Sequence, residues 1–549
     1  MFTLESAINR GVKIIENLGP FGYFPSVVTE PREELLACRE TAWIGTFLNL
    51  SPVYDISGPD AIKLLNYVCV NRDFSTLKIR GSRHVLMCNE KGQLLADGLL
   101  IRTGEESFRT YWLAPVLAFY VDTLGMNVEG AWVKDEYFFQ IDGPKSLEIL
   151  EKASQTDLHD MKFAGRKNVK IMGTDVTVIR LGMSGALAYE IHGNIHHADL
   201  VYDAVVDAGK EFGLKRLGNR QYCKNHTQGG YPNQFIHFWY PWFTSGDDLK
   251  EYIEEYSKGS WILDHYSFFG SANDDVENFF ITPYDIKWDY LIKYDNDFIG
   301  REALEEIGKN PPRTCVTLEW NAEDVGQVFA SQFRGTDVEP IDNISRIGDD
   351  DDQPSFRASK VLLDGNMVGI TAGRTQDFYH RRMISLAFIR REHAVEGKEL
   401  KVLWGTNGSP QMEIRARVAP FPYYQEEYRN ETFDVEKIPR PSFDKISDET
   451  LDGIYNIVVK SPTGDMEGSF HYTTKDGVVT GTATTLGSTV EVVDGIIVGN
   501  IFTHTMKVKL GIGRVKITVK GEVNGDSISG VFKTSFGTMS FEGKKINEF

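Results

Sequence analysis

The residues whose types could do chemistry fall in four short segments. These are Lys91-Gly92-Gln93-Leu94-Leu95-Ala96-Asp97-Gly98, Gln140-Ile141-Asp142-Gly143-Pro144-Lys145, Gly182-Met183-Ser184-Gly185 running on to Tyr189-Glu190-Ile191, and Asp297-Phe298-Ile299-Gly300-Arg301-Glu302-Ala303-Leu304. After Tyr222 comes a dense aromatic stretch, Tyr231, Phe235, His237, Phe238, Trp239, Tyr240, Trp242 and Phe243. Such rings suit either stacking on a planar ligand or filling the core of a loop. Taken singly the acids are bland: Asp97 before Gly98 reads as a turn residue, and Glu190 as a strand-end glutamate. No GxxxxGK[ST], HExxH or GxSxG motif is present, which removes the commoner nucleotide, zinc-protease and serine-hydrolase readings. Cys38, Cys69, Cys88, Cys223 and Cys315 are odd in number, scattered and never spaced as CxxC. That pattern argues against a disulfide framework and a zinc cage, so free thiols and no metal are expected.

Elements must position these residues, and the chain has room for several bodies. Its 549 residues correspond to three or four domains at roughly 150 residues each. Lys plus Arg total 59 against 78 for Asp plus Glu, a formal charge of −19 that repels phosphate backbones and anionic lipid. Neither nucleic acid nor a membrane is an expected partner. Charges or glycines interrupt every apolar stretch short of a membrane span, and Met1 to Gly19 has no secretory pattern. A cytoplasmic protein is expected.

Apolar spacing predicts a helix at Ala61 to Val68, an extended stretch at His84 to Met87, and an amphipathic helix from Ala198 ended by Phe212-Gly213. Asp349 to Asp352 reads as an exposed acidic loop. Beyond Val361 the texture turns to strands. Val361 to Leu363 and Val368 to Thr371 flank an Asp364-Gly365 turn, and Lys401 to Trp404 and Glu413 to Val418 follow. Residues 426–445, with Pro439-Arg440-Pro441, suit a linker. The remaining stretch alternates in short runs, with strands expected at Tyr455 to Val459, Ser469 to Tyr472, Val490 to Val493, Val515 to Val519, Ser527 to Lys533 and Met539 to Glu542. Asp476-Gly477, Asp494-Gly495 and Asn524-Gly525 are the expected turns, and a small closed barrel or sandwich is the economical solution. Lone His471 and His504 read there as surface or packing residues.

As an ordered set, with Ser57-Gly58-Pro59-Asp60-Ala61 upstream and Gly365 to Gly369 downstream, the four segments resemble the tetrahydrofolate-dependent aminomethyltransferase (glycine-cleavage T-protein) family. The resemblance spans nearly residues 1 to 425. Gly218-Asn219-Arg220-Gln221-Tyr222 and Thr282-Pro283-Tyr284-Asp285-Ile286 through Leu304 look like the bacterial aryl O-demethylases that act on vanillate, 3-O-methylgallate or syringate. It implies an α+β, T-protein-like folate-binding fold over residues 1–312 and a C-terminal antiparallel β-barrel over 313–425. After the linker, an all-β domain is appended at 446–549.

The resemblance also implies roles. Glu190, beside Tyr189, would accept the donor-rich edge of the pterin, and Asp97 would lie against the reactive folate nitrogens. Tyr222 would assist departure of an aryl oxygen, a need that follows from the phenolate leaving group, whose conjugate acid has a pKa of about 10. Tyr231 and Trp239 are candidate contacts to the aromatic ring. Two departures bear on the substrate. Lys224-Asn225-His226-Thr227-Gln228-Gly229-Gly230 replaces the glycine-cleavage protein's arginine-leucine-glutamate-alanine-glycine segment, which argues against an aminomethyl-lipoyl substrate. Leu50 and Leu113 stand where benzoate-type demethylases hold their aromatic acid, which points to a neutral substrate. The implied activity is methyl transfer from an aryl methyl ether to tetrahydrofolate. Methylene transfer from a methylenedioxyphenyl compound, or a folate-binding regulator without activity, are the alternatives.

Overall fold

The computed structural model describes residues 4–17, 23–45, 53–257, 267–344, 355–425, 428–440, 450–461, 464–475, 477–485, 488–510, 513–534 and 537–546. Leu50, the acidic run Asp349 to Asp352, Pro441 and Asp476 lie outside them. Two antiparallel-rich sheets form the first body. A five-stranded sheet runs in the order Ser82–Cys88, Leu94–Arg102, Ser107–Tyr111, Val53–Ser57, Glu129–Val133. A six-stranded sheet runs Arg166–Ile171, Thr174–Ile179, Ala188–Asn194, Glu136–Asp142, Trp43–Gly45, Lys215–Leu217, and only the last pair is parallel. Ala188–Asn194 is central there, so its backbone is bonded on both sides and its side chains are fixed.

The Ala198–Gly209 helix covers one face of this sheet because Val201, Tyr202, Val205 and Ala208 recur at helical spacing and are buried. It passes into a short 3-10 turn, Lys210–Phe212, and stops at Gly213 with φ +74°. The next sheet closes on itself: seven strands run from Ser267–Phe269 to Glu399–Trp404, and Ser355–Leu363 pairs with Glu399–Trp404. Its strand Met412–Ala419 buries Ile414, Ala416 and Val418 and points Glu413, Arg415 and Arg417 outward. Asp364 and Gly365 both adopt positive φ, as a tight hairpin turn requires.

The C-terminal nine strands also close, through Gly464–Lys475 with Val478–Thr485. Tyr455, Phe470, Tyr472, Phe502, Phe532 and Phe541 fill the interior. The barrel meets the body at the acidic face of the Ala198–Gly209 helix, where Lys520 pairs with Asp207 and Lys533 lies 3.8 Å from Asp203.

Two sequence expectations change. Asp494-Gly495 is a bulge, not a turn: Val493–Val498 runs through it, with its register shifted against Ile501–Leu510, and the expected Val490 to Val493 strand divides there. The described part of the expected linker, residues 428–440, is a strap rather than a spacer. Phe433, Val435 and Ile438 join the core beneath the six-stranded sheet, and Arg180 donates to the carbonyls of Asn430 and Phe433. Among the described residues no helix is long and apolar enough to cross a membrane.

Candidate active site

Glu190 sits within Ala188–Asn194, directly opposite Gln140 of Glu136–Asp142. Alternation along the strand puts Glu190 and His192 on one face and Tyr189 on the other. Tyr189 therefore packs its ring into the helix-covered core, and its cofactor-binding role is withdrawn. Glu190 is 6% exposed and its Oε2 lies 3.1 Å from His192 Nε2. On the far side His192 Nδ1 lies 3.2 Å from Glu136 Oε1.

Above the sheet the Gly182-Met183-Ser184-Gly185 loop comes down closely. A Cβ on Gly182 would stand 2.1 Å from the Ala188 Cβ and 2.9 Å from Gln140 Nε2, so only glycine permits the approach. Met183 is thereby brought to Tyr222, whose hydroxyl donates to its Sδ at 3.0 Å. Tyr222 lies on the helix Asn219–Gly229, 3% exposed, with its ring edge-on to Trp43 at 6.3 Å and to His226 at 5.1 Å. Burial first, then the charges of Asp142 and Glu190, push its pKa well above 10. The phenol stays protonated, and it is a weaker acid than the free side chain implies.

Asp97 is not in a turn: it lies inside Leu94–Arg102, paired with Leu86. The glycine after it serves packing, since a Cβ on Gly98 would stand 1.9 Å from the Tyr111 carbonyl oxygen. Tyr240 donates to Asp97 Oδ1 at 2.6 Å and accepts from the Asp97 N–H at 3.0 Å. His84 Nε2 lies 3.2 Å from Oδ2 and 3.4 Å from the Tyr231 hydroxyl. Tyr231 is half-buried against Trp288 and His226, and the charges of Asp97 and Glu190 both reach its hydroxyl. Asp97, Glu190, Tyr222 and Tyr231 thus share one electrostatic environment, although they come from three distant segments.

The other expected contacts separate from this group. Leu113 is wholly buried in the core around the five-stranded sheet, and Trp239 is 3% exposed among Phe235, Phe268 and Phe356. Both fill the core, which corrects their placement on a substrate surface. Leu50 lies outside the described residues. His226, not singled out from sequence, stands one helical turn from Tyr222. Burial lowers its pKa to about 4, Nδ1 faces the Tyr231 carbonyl at 3.3 Å, and its buried Nε2 has no hydrogen-bond partner. It is neutral at physiological pH.

The donor set fits a reduced pterin. The buried Gln140 side chain leaves both Nε2 and Oε1 without a partner, a costly state unless a ligand supplies one. Among the described residues nothing donates to Glu190 Oε1. A heterocycle presenting an amide edge and an amine meets both needs.

Comparison with known proteins finds relatives over most of the chain. Residues 20–230 match the model of the GCVT N-terminal domain. A sesamin methylene transferase from Sinomonas sp. (strain No.22) is 42% identical over 80% of this chain and 99% of its own length. A syringate O-demethylase from Sphingobium sp. (strain NBRC 103272 / SYK-6) is 29% identical over 70% of this chain and 87% of its own. The aminomethyltransferase T of the Bartonella henselae glycine cleavage system superposes with a TM-score of 0.54 over 78% of this chain and 99% of its own, at 16% identity.

With these relatives the chain is a one-carbon transferase that uses tetrahydrofolate. The chain belongs to the tetrahydrofolate-dependent aminomethyltransferase family, on its branch with the aryl O-demethylases.

Proposed function

We propose that this enzyme transfers the bridging methylene of a neutral methylenedioxyphenyl compound to tetrahydrofolate, leaving a catechol. The observation that carries the reading is a phenolic donor, Tyr222, held protonated in the field of the carboxylate Glu190 beside an unpartnered amide, Gln140. Support comes also from the 42% identity to a protein named for methylene transfer from sesamin.

When bound, tetrahydrofolate supplies two amine nitrogens, which take the methylene carbon and give up two protons. Two carbon–oxygen bonds break and two carbon–nitrogen bonds form, with no change in oxidation state, and the two protons end on the catechol oxygens. Glu190 and Gln140 hold the ligand's amide edge. Asp97, steadied by Tyr240 and His84, accepts an N–H proton or its hydrogen bond. Tyr222 turns its O–H from Met183 Sδ, a weak acceptor, to the aryl oxygen as negative charge develops there. Its raised pKa makes it a hydrogen-bond donor that keeps its proton for most of the step; His226 Nε2 is the nearby neutral acceptor.

A second reading, methyl transfer from an aryl methyl ether, is favoured by the identity to a syringate O-demethylase and uses the same residues for one oxygen only. Incubating the enzyme with tetrahydrofolate and a panel of methoxylated and methylenedioxy aromatics separates the two. Catechol with 5,10-methylenetetrahydrofolate supports the first reading; phenol with 5-methyltetrahydrofolate supports the second. Tight folate binding with no aromatic consumed points instead to a regulator.

A further inference from the structure

We propose that His192 is a positioning residue for the ligand-binding carboxylate: as an imidazolium held between Glu136 and Glu190, it holds the Glu190 Oε2 in place and leaves Oε1 aimed at the ligand. The inference rests on the folate reading of Glu190 and adds what orients that carboxylate.

The geometry leaves little freedom. Each ring nitrogen of His192 faces a carboxylate oxygen, Glu190 Oε2 at 3.1 Å and Glu136 Oε1 at 3.2 Å. A neutral imidazole has one donor, so one lone pair would then point at an ionised oxygen in a site with side chains 5–9% exposed. The doubly protonated ring satisfies both. Phe138 stacks on the ring at 4.9 Å and 8°, and Tyr111 meets it edge-on at 5.2 Å and 78°. Rotation of the ring is therefore blocked.

Glu136 is anchored in turn. Its Oε1 accepts from the Tyr111 hydroxyl at 2.5 Å, its Oε2 pairs with Arg109, and Arg109 binds Asp55 through two bonds of 2.8 Å. From Asp55 through Arg109, Glu136 and His192 to Glu190 the charges alternate in sign, and the series ends negative at the ligand. The groups facing His192 are thus Glu190 on its own strand, Glu136 on the neighbouring strand and Tyr111 from the other sheet. Arg109, Arg166, Asp135 and Asp175 line the same 380 Å³ cavity as His192. The two hydrogen bonds outweigh burial and raise the His192 pKa above 6.5, while Glu136 is held below the usual carboxylate range despite its burial, by His192, Tyr111 and Arg109.

The sign of the pH dependence follows. In the native protein, tetrahydrofolate affinity holds at low pH and weakens as pH rises through the raised His192 value. In His192→Gln no imidazolium is left to titrate, so affinity stays low and flat over the same range. The test measures anaerobic dissociation constants for tetrahydrofolate between about pH 6 and pH 9 in the native protein, His192→Gln and Glu136→Gln. His192→Gln is expected to weaken binding about tenfold or more near pH 6.5 and to flatten the slope, with Glu136→Gln between the two.

Equal affinities and equal slopes would overturn the proposal. Nitrogen-15 histidine spectra of the ligand-free protein, with His192 identified by its loss in His192→Gln or its shift in Glu136→Gln, should show both ring nitrogens protonated at neutral pH. A neutral ring there overturns the imidazolium clamp even if a variant fails to fold. Failure of the native protein to bind tetrahydrofolate at all would defeat the folate reading instead, and the spectra would still decide the clamp.

Discussion

The body that carries Tyr222 and the C-terminal barrel are filled in opposite ways. Around the site the interior holds Glu34, Arg39, Asp142, Glu190, His192, Lys224, His226 and His237. Inside the barrel the buried polar side chains among the described residues are Thr503 and His504, and His504 Nε2 lies 2.7 Å from the Tyr472 hydroxyl. Buried charge is expensive, and a core of stacked aromatics stabilises a fold at far lower cost. The difference is one of cost: one region buries many ionisable groups together, and the other is filled almost wholly by apolar and aromatic side chains. Lys520 and Lys533 join the two at the surface, a weak form of attachment.

The contrast can be broken at either end. Replacing Tyr222 with Phe should lower turnover about 10²- to 10⁴-fold and leave tetrahydrofolate binding nearly unchanged, measured by initial rates and by titration. Normal turnover in that variant would remove Tyr222 from the chemistry. Phe470→Ala deletes a ring 1% exposed that stacks on Tyr472 at 4.9 Å. Calorimetry should show the barrel destabilised by about 3–5 kcal/mol while initial rates stay at the native value. A matching fall in rate would mean that the barrel helps shape the site. Glu190→Gln keeps shape and removes charge, and should weaken tetrahydrofolate binding about 10- to 100-fold with a smaller effect on turnover at saturation.

The smallest effect concerns the strap. His159 Nδ1 lies 2.8 Å from Glu151 and Nε2 lies 3.0 Å from the Ile438 carbonyl oxygen. Burial opposes the charged ring, but these two bonds prevail and raise its pKa. A raised folded-state pKa means stabilisation that is fully present below about pH 6.5 and lost as pH rises through the folded value. Hydrogen exchange across residues 428–440 should therefore quicken with pH beyond its intrinsic increase, and His159→Gln should flatten that extra slope.

Much of this was legible in the sequence because the informative segments are local. Tyr222, Glu190 and Asp97 could be picked out by their order along the chain, and the Asp364-Gly365 hairpin by turn chemistry. What stayed hidden depends on register. Tyr240 reaches Asp97 across 143 residues, and Glu136 reaches His192 across 56. His192 itself had a signal, since period two places it on the Glu190 face. Asp97-Gly98 and Asp494-Gly495 looked like turns because glycine after aspartate usually marks one. In the first the glycine admits a neighbouring carbonyl, and in the second it lies in a bulge. Tyr189, Leu113 and Trp239 were misplaced for one reason: a chain pattern does not say which side of an element faces a ligand.

The central claim is that Tyr222 and Glu190 serve the passage of one carbon from aryl oxygen to folate nitrogen. The direct test supplies the enzyme with tetrahydrofolate and a methylenedioxyphenyl compound carrying carbon-13 in its bridge, and follows the label by NMR. Label moving into 5,10-methylenetetrahydrofolate, with an equal amount of catechol formed and both slowed about a hundredfold or more in Tyr222→Phe, is the predicted result. Label that stays in the aromatic compound, or reaches folate equally fast in Tyr222→Phe, would contradict it.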